Sequence, residues 1–255
     1  MNQIADLYVE WRGARDPQRE TVIFLHDGLG AVGSWQDMPE RIAAATGTNA
    51  LVYDRRGYGR SAPRDSFPYG FIDQEVPVLL ALLEHLKLPR AHLVGHSDGG
   101  SISLVFAAQH PARVGVVVTE AAHVFVEPET RAGIAGLLAA QAAGNTPRWL
   151  AKLHGARADA LLAAWAGGWL SEAHGHWNIA RYCADIRGPL LAIQGEHDDF
   201  GTLAQVEAIV SRAPRAERWV VPGCGHTPHA EAPDAFFERV SAFINAHAGQ
   251  GAPHK

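Results

Sequence analysis

Residues 92–101 read His92-Leu93-Val94-Gly95-His96-Ser97-Asp98-Gly99-Gly100-Ser101, and this stretch decides the fold. A short apolar run enters it, and a helix rich in small residues leaves it near Ser101. Between them Gly95 to Gly99 spell G-x-S-x-G, the pattern of a serine held at a one-residue turn from strand to helix. Such a turn strains the serine backbone and crowds its neighbours, so Gly95 and Gly99 stand where a Cβ would collide. Ser97 Oγ then projects from the top of a sheet. The backbone N–H of Asp98, at a helix N-terminus, points where an oxyanion would form.

Working outward, short apolar runs alternate with longer Ala/Leu-rich stretches, the pattern of an α/β sheet with helices on both faces. Strands are predicted at Thr21–Leu25, Ala50–Tyr53, His92–Val94, Val114–Val118, Leu190–Ile193 and Arg218–Val221. They lack alternation, which marks parallel strands buried on both faces. Ala5–Trp11 does alternate and suits a half-exposed edge strand. Helices are expected at Trp35–Thr46, Ile72–Leu86, Ser101–His110, Leu203–Ala213 and Pro233–Ala246. From His123 to Ala184 no strand is predicted; two Ala/Leu segments, Arg131–Ala143 and Ala156–Ala166, stand there instead. Four of the seven tryptophans (Trp149, Trp165, Trp169 and Trp177) fall in this region. A helical insertion between strands of such a sheet is expected to cover the strands' carboxyl ends, where ligands bind. The tail, residues 249–255, is expected to fray.

Composition removes whole classes of function. With 22 Lys+Arg against 27 Asp+Glu, the formal charge of −5 offers no basic stripe for nucleic acid. Two cysteines, Cys183 and Cys224, cannot form a disulfide framework and read as free thiols of a reducing compartment. No apolar run reaches the roughly 18 residues of a membrane span, and Met1 to Gly13 lack the apolar core of a signal peptide. A cytoplasmic location and a small-molecule partner are the expectation, with no membrane association. The oligomeric state is left open.

A serine hydroxyl is a poor nucleophile unless an imidazole takes its proton and a carboxylate fixes that imidazole. After the strand Leu190–Ile193 comes Gln194-Gly195-Glu196-His197-Asp198-Asp199, and after Arg218–Val221 comes Gly223-Cys224-Gly225-His226-Thr227-Pro228-His229. The order Ser97, Asp198, His226 matches one of the known orders of a nucleophile–acid–base triad. A rival motif shares the chain: Gly28-Leu29-Gly30-Ala31-Val32-Gly33 satisfies G-x-G-x-x-G, with Asp54 placed as a ribose acid would be. That dinucleotide reading leaves the rest of the sequence unexplained, and Asp54 opens a Gly-rich loop instead of ending as a lone strand acid.

On these residues, from about Val22 to Ala246, the chain resembles the α/β-hydrolase superfamily. The resemblance rests on Leu25-His26 with the Gly28–Gly30 turn, on Asp54 to Ser61 (D-x-R-G-x-G-x-S), and on GHSDGG, QGEHDD and GCGHTPH. It implies an α/β-hydrolase fold: a mostly parallel central sheet flanked by helices, with a core of residues 1–122 and 185–248 and a helical cap of residues 123–184. Within the superfamily the sequence is similar to small capped carboxylesterases, enol-lactone hydrolases, meta-cleavage C–C hydrolases and valacyclovir-hydrolase-like enzymes. The G-x-x-D spacing usual in the family, counted from Gly195, selects Asp198, with Asp199 as the alternative. The family's His-Gly oxyanion loop reads His26-Asp27-Gly28 here. By position the second oxyanion donor is the N–H of Gly28, beside that of Asp98, with Leu29 as the alternative. Relatives that open haloalkanes or epoxides carry Asp at the elbow, so Ser97 argues against both chemistries.

The resemblance implies a serine hydrolase that cleaves an ester of a small-to-medium apolar or aromatic acyl group through an acyl-enzyme, with no cofactor and no metal. C–C, enol-lactone and thioester cleavage use the same constellation, and a ligand receptor with vestigial turnover is the alternative of another class. Leu29, His123, Trp149, Trp165, Trp169 and Trp177 are the candidate pocket residues. The Asp98 side chain has two readings: it contacts an amino group in valacyclovir-hydrolase-like enzymes, or it complements the helix dipole, which is favoured. His96 is expected to pack, and Cys224 to fill space. His226, His229 and Glu231 imitate a metal site, but the i, i+3 spacing with a proline between lacks a third ligand of suitable placement. Arg55, Arg56 and Arg60 are expected to anchor the Gly57–Gly59 loop.

Overall fold

Runs of Val, Ile and Leu without alternation can only be satisfied as strands covered on both faces, and that is how they are used. The computed structural model describes Ile4 and residues 6–249. In chain order the elements are β1 (Tyr8–Arg12), β2 (Thr21–Leu25), α1 (Met38–Thr46), β3 (Asn49–Asp54), α2 (Phe71–His85), β4 (Ala91–His96), α3 (Asp98–Gln109) and β5 (Val114–Glu120). Then come α4 (Pro128–Ala142), α5 (Arg148–His154), α6 (Ala158–Leu170), β6 (Leu190–Gly195), α7 (Leu203–Val210), β7 (Ala216–Val221), α8 (Pro228–Glu231) and α9 (Pro233–His247). Ala5, the first residue of the expected edge strand, and residues 250–255 of the expected frayed tail lie outside the described residues.

The sheet runs β1-β3-β2-β4-β5-β6-β7. Only β1 is antiparallel, pairing Tyr8 with Asp54 and Arg12 with Ala50; the other pairs are parallel. Every residue of β2 to β6 is buried, as the sequence pattern requires. β7 departs from it: as the far edge strand it exposes Glu217 and Arg218, because nothing pairs beyond it. One apolar layer holds α1 and α9 against Phe24, Val52, Val94 and Ile193. The other holds α2, α3 and α7 against Ile23, Leu51 and Leu93, and continues without a break into the insertion.

Two local features follow from burial. Residues Asp98 to Ala107 of α3 are all buried, so this helix has no polar face and no legible period. The helix begins three residues earlier than the sequence pattern suggests, since Asp98 and the two glycines already carry helical backbone. At the irregular β4–β5 pairing, His92 Nδ1 accepts the N–H of Val116 at 2.9 Å, so a side chain replaces a ladder bond.

The β5–β6 connection is helical, as predicted, and it holds three helices where two were expected: α5 is added between α4 and α6. Trp169 of α6 is buried against Phe71 of α2 and Trp177, with ring centroids 5.9 and 5.4 Å away. His174 sits in the same aromatic box, stacked on Phe71 and Trp177. No helix among the described residues is long and apolar enough to cross a membrane.

Candidate active site

The residue between β4 and α3 is Ser97, held at φ 51° and ψ −117°. A left-handed φ is costly for a residue with a Cβ and persists only where its surroundings over-determine it. Here they do: Ser97 N–H donates to the Glu120 carbonyl at 2.8 Å, and Ser97 O accepts from Ser101 N at 3.0 Å. The turn also requires its glycines. A Cβ on Gly95 would lie 2.3 Å from the carbonyl oxygen of Gly99, and one on Gly99 would lie 2.1 Å from that of Leu25.

The loops after β6 and β7 meet beside this elbow. His226 Nδ1 lies 2.8 Å from Asp198 Oδ1. Asp198 is sealed from solvent and also accepts Phe200 N–H at 2.9 Å and the Gln194 amide. Of the two adjacent acids, therefore, Asp198 meets the imidazole. Asp199 lies on the wall of the cavity and makes no hydrogen bond to His226. Glu231 accepts the N–H groups of Gly225 (2.7 Å) and Thr227 (2.9 Å), which clamps the histidine loop from both sides of His226. Ser97 and His226 open onto one cavity of about 1090 Å³. Among the described residues no hydrogen bond joins Ser97 Oγ to His226, a looseness common before a substrate fills such a site.

Burial pulls the His226 imidazole down, but the Asp198 charge and hydrogen bond outweigh it, and the pKa ends above the ordinary histidine value. Asp198 is pushed up by burial and pulled further down by His226 and by its hydrogen bonds, so it stays ionised. A base must be neutral to take a proton, so activity should rise with pH through the raised His226 value. The acid limb of kcat/KM, which reports the free enzyme, is expected above the usual histidine pKa of about 6.5. A pH–rate profile whose acid limb lies below that value would contradict this assignment of the base.

The two N–H groups expected as oxyanion donors are both unengaged. The N–H groups of Asp98 and Gly28 make no hydrogen bond among the described residues, whereas Leu29 N–H is directed at Asp27 Oδ2 at 3.4 Å. Trp165 packs on Gly28 so closely that a Cβ there would lie 2.5 Å from Trp165 Nε1. That same Nε1 donates to Asp98 Oδ2 at 3.1 Å. The Asp98 carboxylate thus does more than complement a helix dipole: it ties the insertion to the elbow, and Arg55 Nη2 approaches it at 3.8 Å. Burial pushes Asp98 up to about 6, against the pull of Arg55 and of the Trp165 hydrogen bond.

The expected pocket residues divide. Leu29, His123, Trp165 and Trp169 line the cavity, and Trp149 stands at its rim, 45% exposed. Trp177 is a correction: it is not on the wall, because it stacks on His174 behind Trp169. His154 of α5 was invisible in the sequence. Its Nδ1 accepts Gly59 N–H at 2.9 Å and its Nε2 meets the Leu29 carbonyl at 2.7 Å, so it joins the insertion to two core loops.

Other expectations change with the geometry. Asp54 is buried, with Oδ1 accepting Val32 N–H (2.7 Å) and Oδ2 accepting Arg60 N–H (2.8 Å), so it braces two loops from within and is closed to a ribose. Of the arginines after it, Arg55 does hold the Gly57–Gly59 loop, its carbonyl accepting Tyr58 N–H at 3.0 Å and its guanidinium lying on the Tyr58 ring, whereas the Arg56 and Arg60 side chains pair elsewhere. Arg56 pairs with Asp6, Arg60 pairs with Glu10 at 3.1 Å, and Arg55 is buried under the His26-Asp27 backbone. In the His226, His229 and Glu231 stretch that imitates a metal site, Glu231 serves the loop backbone. His96, Glu120 and His229 do bring possible ligand atoms within 4.8 Å of one another. These groups are already committed, however. Glu120 accepts His229 N–H at 2.6 Å and meets His229 Nδ1 at 2.8 Å, while His96 Nε2 donates to the His226 carbonyl at 2.9 Å. Burial holds His96 down to about 3, so it is a neutral donor that braces the histidine loop against the elbow.

Comparisons with known proteins agree with this architecture. RutD of Caulobacter sp. (strain K31), which carries a carbamate-hydrolase name, is 29% identical over 262 residues, covering 95% of this chain and 97% of that protein. The 2-hydroxy-6-oxo-6-phenylhexa-2,4-dienoate hydrolase of Burkholderia cepacia is 27% identical over 247 residues, 86% of this chain and 85% of its own. The crystal structure of MGS-M2, an alpha/beta hydrolase enzyme from a Medee basin deep-sea metagenome library, superposes with a TM-score of 0.78 at 21% identity, over 93% of this chain and 94% of that one. The family model of the alpha/beta hydrolase fold matches residues 20–176. With more than half its length matched and its sheet order and elbow in place, the chain belongs to the α/β-hydrolase fold family.

Proposed function

We propose that the protein is a serine hydrolase that cleaves an ester of a small-to-medium apolar or aromatic acyl group through an acyl-enzyme. The observation that carries this is the His226–Asp198 pair at 2.8 Å, facing the same cavity as a serine held at positive φ. In this reading Ser97 Oγ attacks the carbonyl carbon while His226 Nε2 takes its proton. The N–H groups of Asp98 and Gly28 receive the oxyanion, and Asp198 holds the imidazole in the tautomer that leaves Nε2 free to accept. His226 then returns the proton to the departing alcohol, and water repeats the sequence in reverse to release the acid. Residues 123–184 act as a cap whose Trp165 and Trp169 line the acyl site and exclude water.

Carbon–carbon cleavage of a vinylogous diketone is the second reading, supported by the similarity to the Burkholderia cepacia hydrolase over 86% of this chain. Enol-lactone and thioester substrates fit the same groups. In the ester reading, p-nitrophenyl esters of short and medium acyl chains should give a burst of p-nitrophenol equal to the enzyme concentration, followed by slower turnover. Turnover confined to a vinylogous diketone, with no ester burst, would transfer the assignment to C–C hydrolysis. A ligand bound tightly with no turnover of either kind would favour a receptor.

A further inference from the structure

The peptide that carries the Gly28 N–H is gripped from below by a buried cation. Arg55, the residue after β3, has no exposed surface. Its Nη2 donates to the carbonyl of Asp27 at 2.7 Å and to that of His26 at 3.2 Å. His26 completes the grip. Its Nε2 accepts the backbone N–H of Arg55 at 3.0 Å, which leaves the proton on Nδ1, and Nδ1 lies 2.8 Å from the same Asp27 carbonyl. Three donors therefore meet at the Asp27 oxygen: the turn's own Gly30 N–H at 3.3 Å and, at shorter range, the two side chains that hold it toward the core.

In a planar trans peptide the carbonyl and the following N–H point in opposite directions. No cis peptide occurs among the described residues, so fixing the Asp27 carbonyl beside Arg55 turns the Gly28 N–H away from it. That N–H has no partner among the described residues. The same guanidinium also faces the side chain of the residue that carries the other donor, with Arg55 Nη2 3.8 Å from Asp98 Oδ2. Arg55 is also an expensive residue to keep here. Among the described residues its Nε and Nη1 have no hydrogen-bond partner, and the Tyr58 ring lies against the guanidinium with its centroid 4.5 Å away. A buried, half-satisfied arginine is costly; packing alone would be better served by an apolar side chain, and what the cation does here is hold the Asp27 carbonyl.

We propose that Arg55 is the positioning residue of the oxyanion site: by pinning the Asp27 carbonyl it aims the Gly28 N–H at the oxygen that becomes charged when Ser97 attacks. The inference rests on the serine-hydrolase reading above. Its test uses Arg55→Met and Arg55→Lys beside the wild type, each assayed for steady-state ester hydrolysis, for the rate of phosphonylation by a fluorophosphonate, and for inhibition by a trifluoromethyl ketone, which forms a tetrahedral adduct.

Arg55→Met is expected to lose about 100-fold in kcat with KM changed less than about threefold, the signature of an interaction made only in the transition state. Phosphonylation and ketone affinity should fall in parallel, and Arg55→Lys should restore part of each. A rise in KM at unchanged kcat, or unchanged ketone affinity in a folded variant, overturns the proposal. Should neither variant fold, the wild type still decides. With carbonyl-¹³C aspartate and ¹⁵N glycine only the Asp27-Gly28 and Asp98-Gly99 peptides give coupled signals, and the Gly28 amide proton should move downfield when the ketone adduct forms. A Gly28 signal that stays in place overturns the assignment. Failure of the wild type to be phosphonylated at Ser97 overturns the serine-hydrolase reading instead.

Discussion

Replacing Asp198 with asparagine is expected to lower kcat/KM about 10⁴-fold, in line with the loss of an orienting carboxylate from a triad elsewhere. The reason lies in the proton on the imidazole. Asp198 Oδ1 accepts from His226 Nδ1 at 2.8 Å, which leaves Nε2 unprotonated and able to take the Ser97 proton. An asparagine amide in that place can donate to Nδ1, which would move the proton to Nε2 and remove the base. It also removes the charge that holds the His226 pKa up, so the residual activity should show an acid limb displaced to lower pH. Asp199→Asn is the matched control. Asp199 shares the cavity wall but not the imidazole, and its variant should stay within a few-fold of wild type on a neutral ester. Equal losses in the two variants would remove the ground for choosing between them.

Gly99→Ala is expected to destabilise the fold by at least about 3 kcal/mol, at the upper end of what overpacking costs. The added methyl would lie 2.1 Å from the Leu25 carbonyl oxygen, 2.6 Å from its carbon and 2.7 Å from the His26 oxygen. All three are backbone atoms of β2 and the loop that follows it, so no side chain can swing aside. α3 and β2 must separate instead, and the elbow between them must open. For a chain of this size the loss corresponds to a fall in melting temperature of roughly 6–12 °C. Gly136→Ala gives the opposite sign. That glycine lies within α4 with nothing within 4 Å of an added Cβ, so alanine should stabilise by about 0.5–1 kcal/mol. Thermal melts of the pair check both, and a Gly99→Ala protein that melts within about 2 °C of wild type would mean the elbow is looser than drawn.

What could be read from the sequence is what short-range geometry forces. The elbow was legible because a one-residue turn admits only small neighbours, and the strand positions because double-sided burial excludes polar residues. The exposure of β7 was not legible. Its Arg218-Trp219-Val220-Val221 looks like a core strand, and only its place at the sheet edge exposes it. α5 escaped notice because seven residues give too little period to register against Pro147 and Gly155. Composition alone puts Trp177 in the pocket with the insertion's other tryptophans, and only packing separates a wall residue from one behind it.

The supporting groups were hidden for a different reason. Glu120 meets His229 across 109 positions, His154 meets Leu29 across 125, and Arg55 meets Asp27 across 28. No motif spans such separations, and each of these residues has an ordinary explanation where it stands in the chain. The candidate site residues lie at strand ends whose order the fold fixes, so the sequence could propose them. The groups that aim them are known only once the strands are laid side by side.

The central claim is that Ser97 is the nucleophile of an acyl-transfer reaction. Peptide mapping by mass spectrometry after treatment with a fluorophosphonate tests it most directly. One adduct per chain is expected, on the peptide that contains Ser97, and Ser97→Ala should neither be labelled nor release an ester burst. A label that persists in Ser97→Ala, or a wild-type enzyme that hydrolyses esters while remaining unlabelled, would contradict the account.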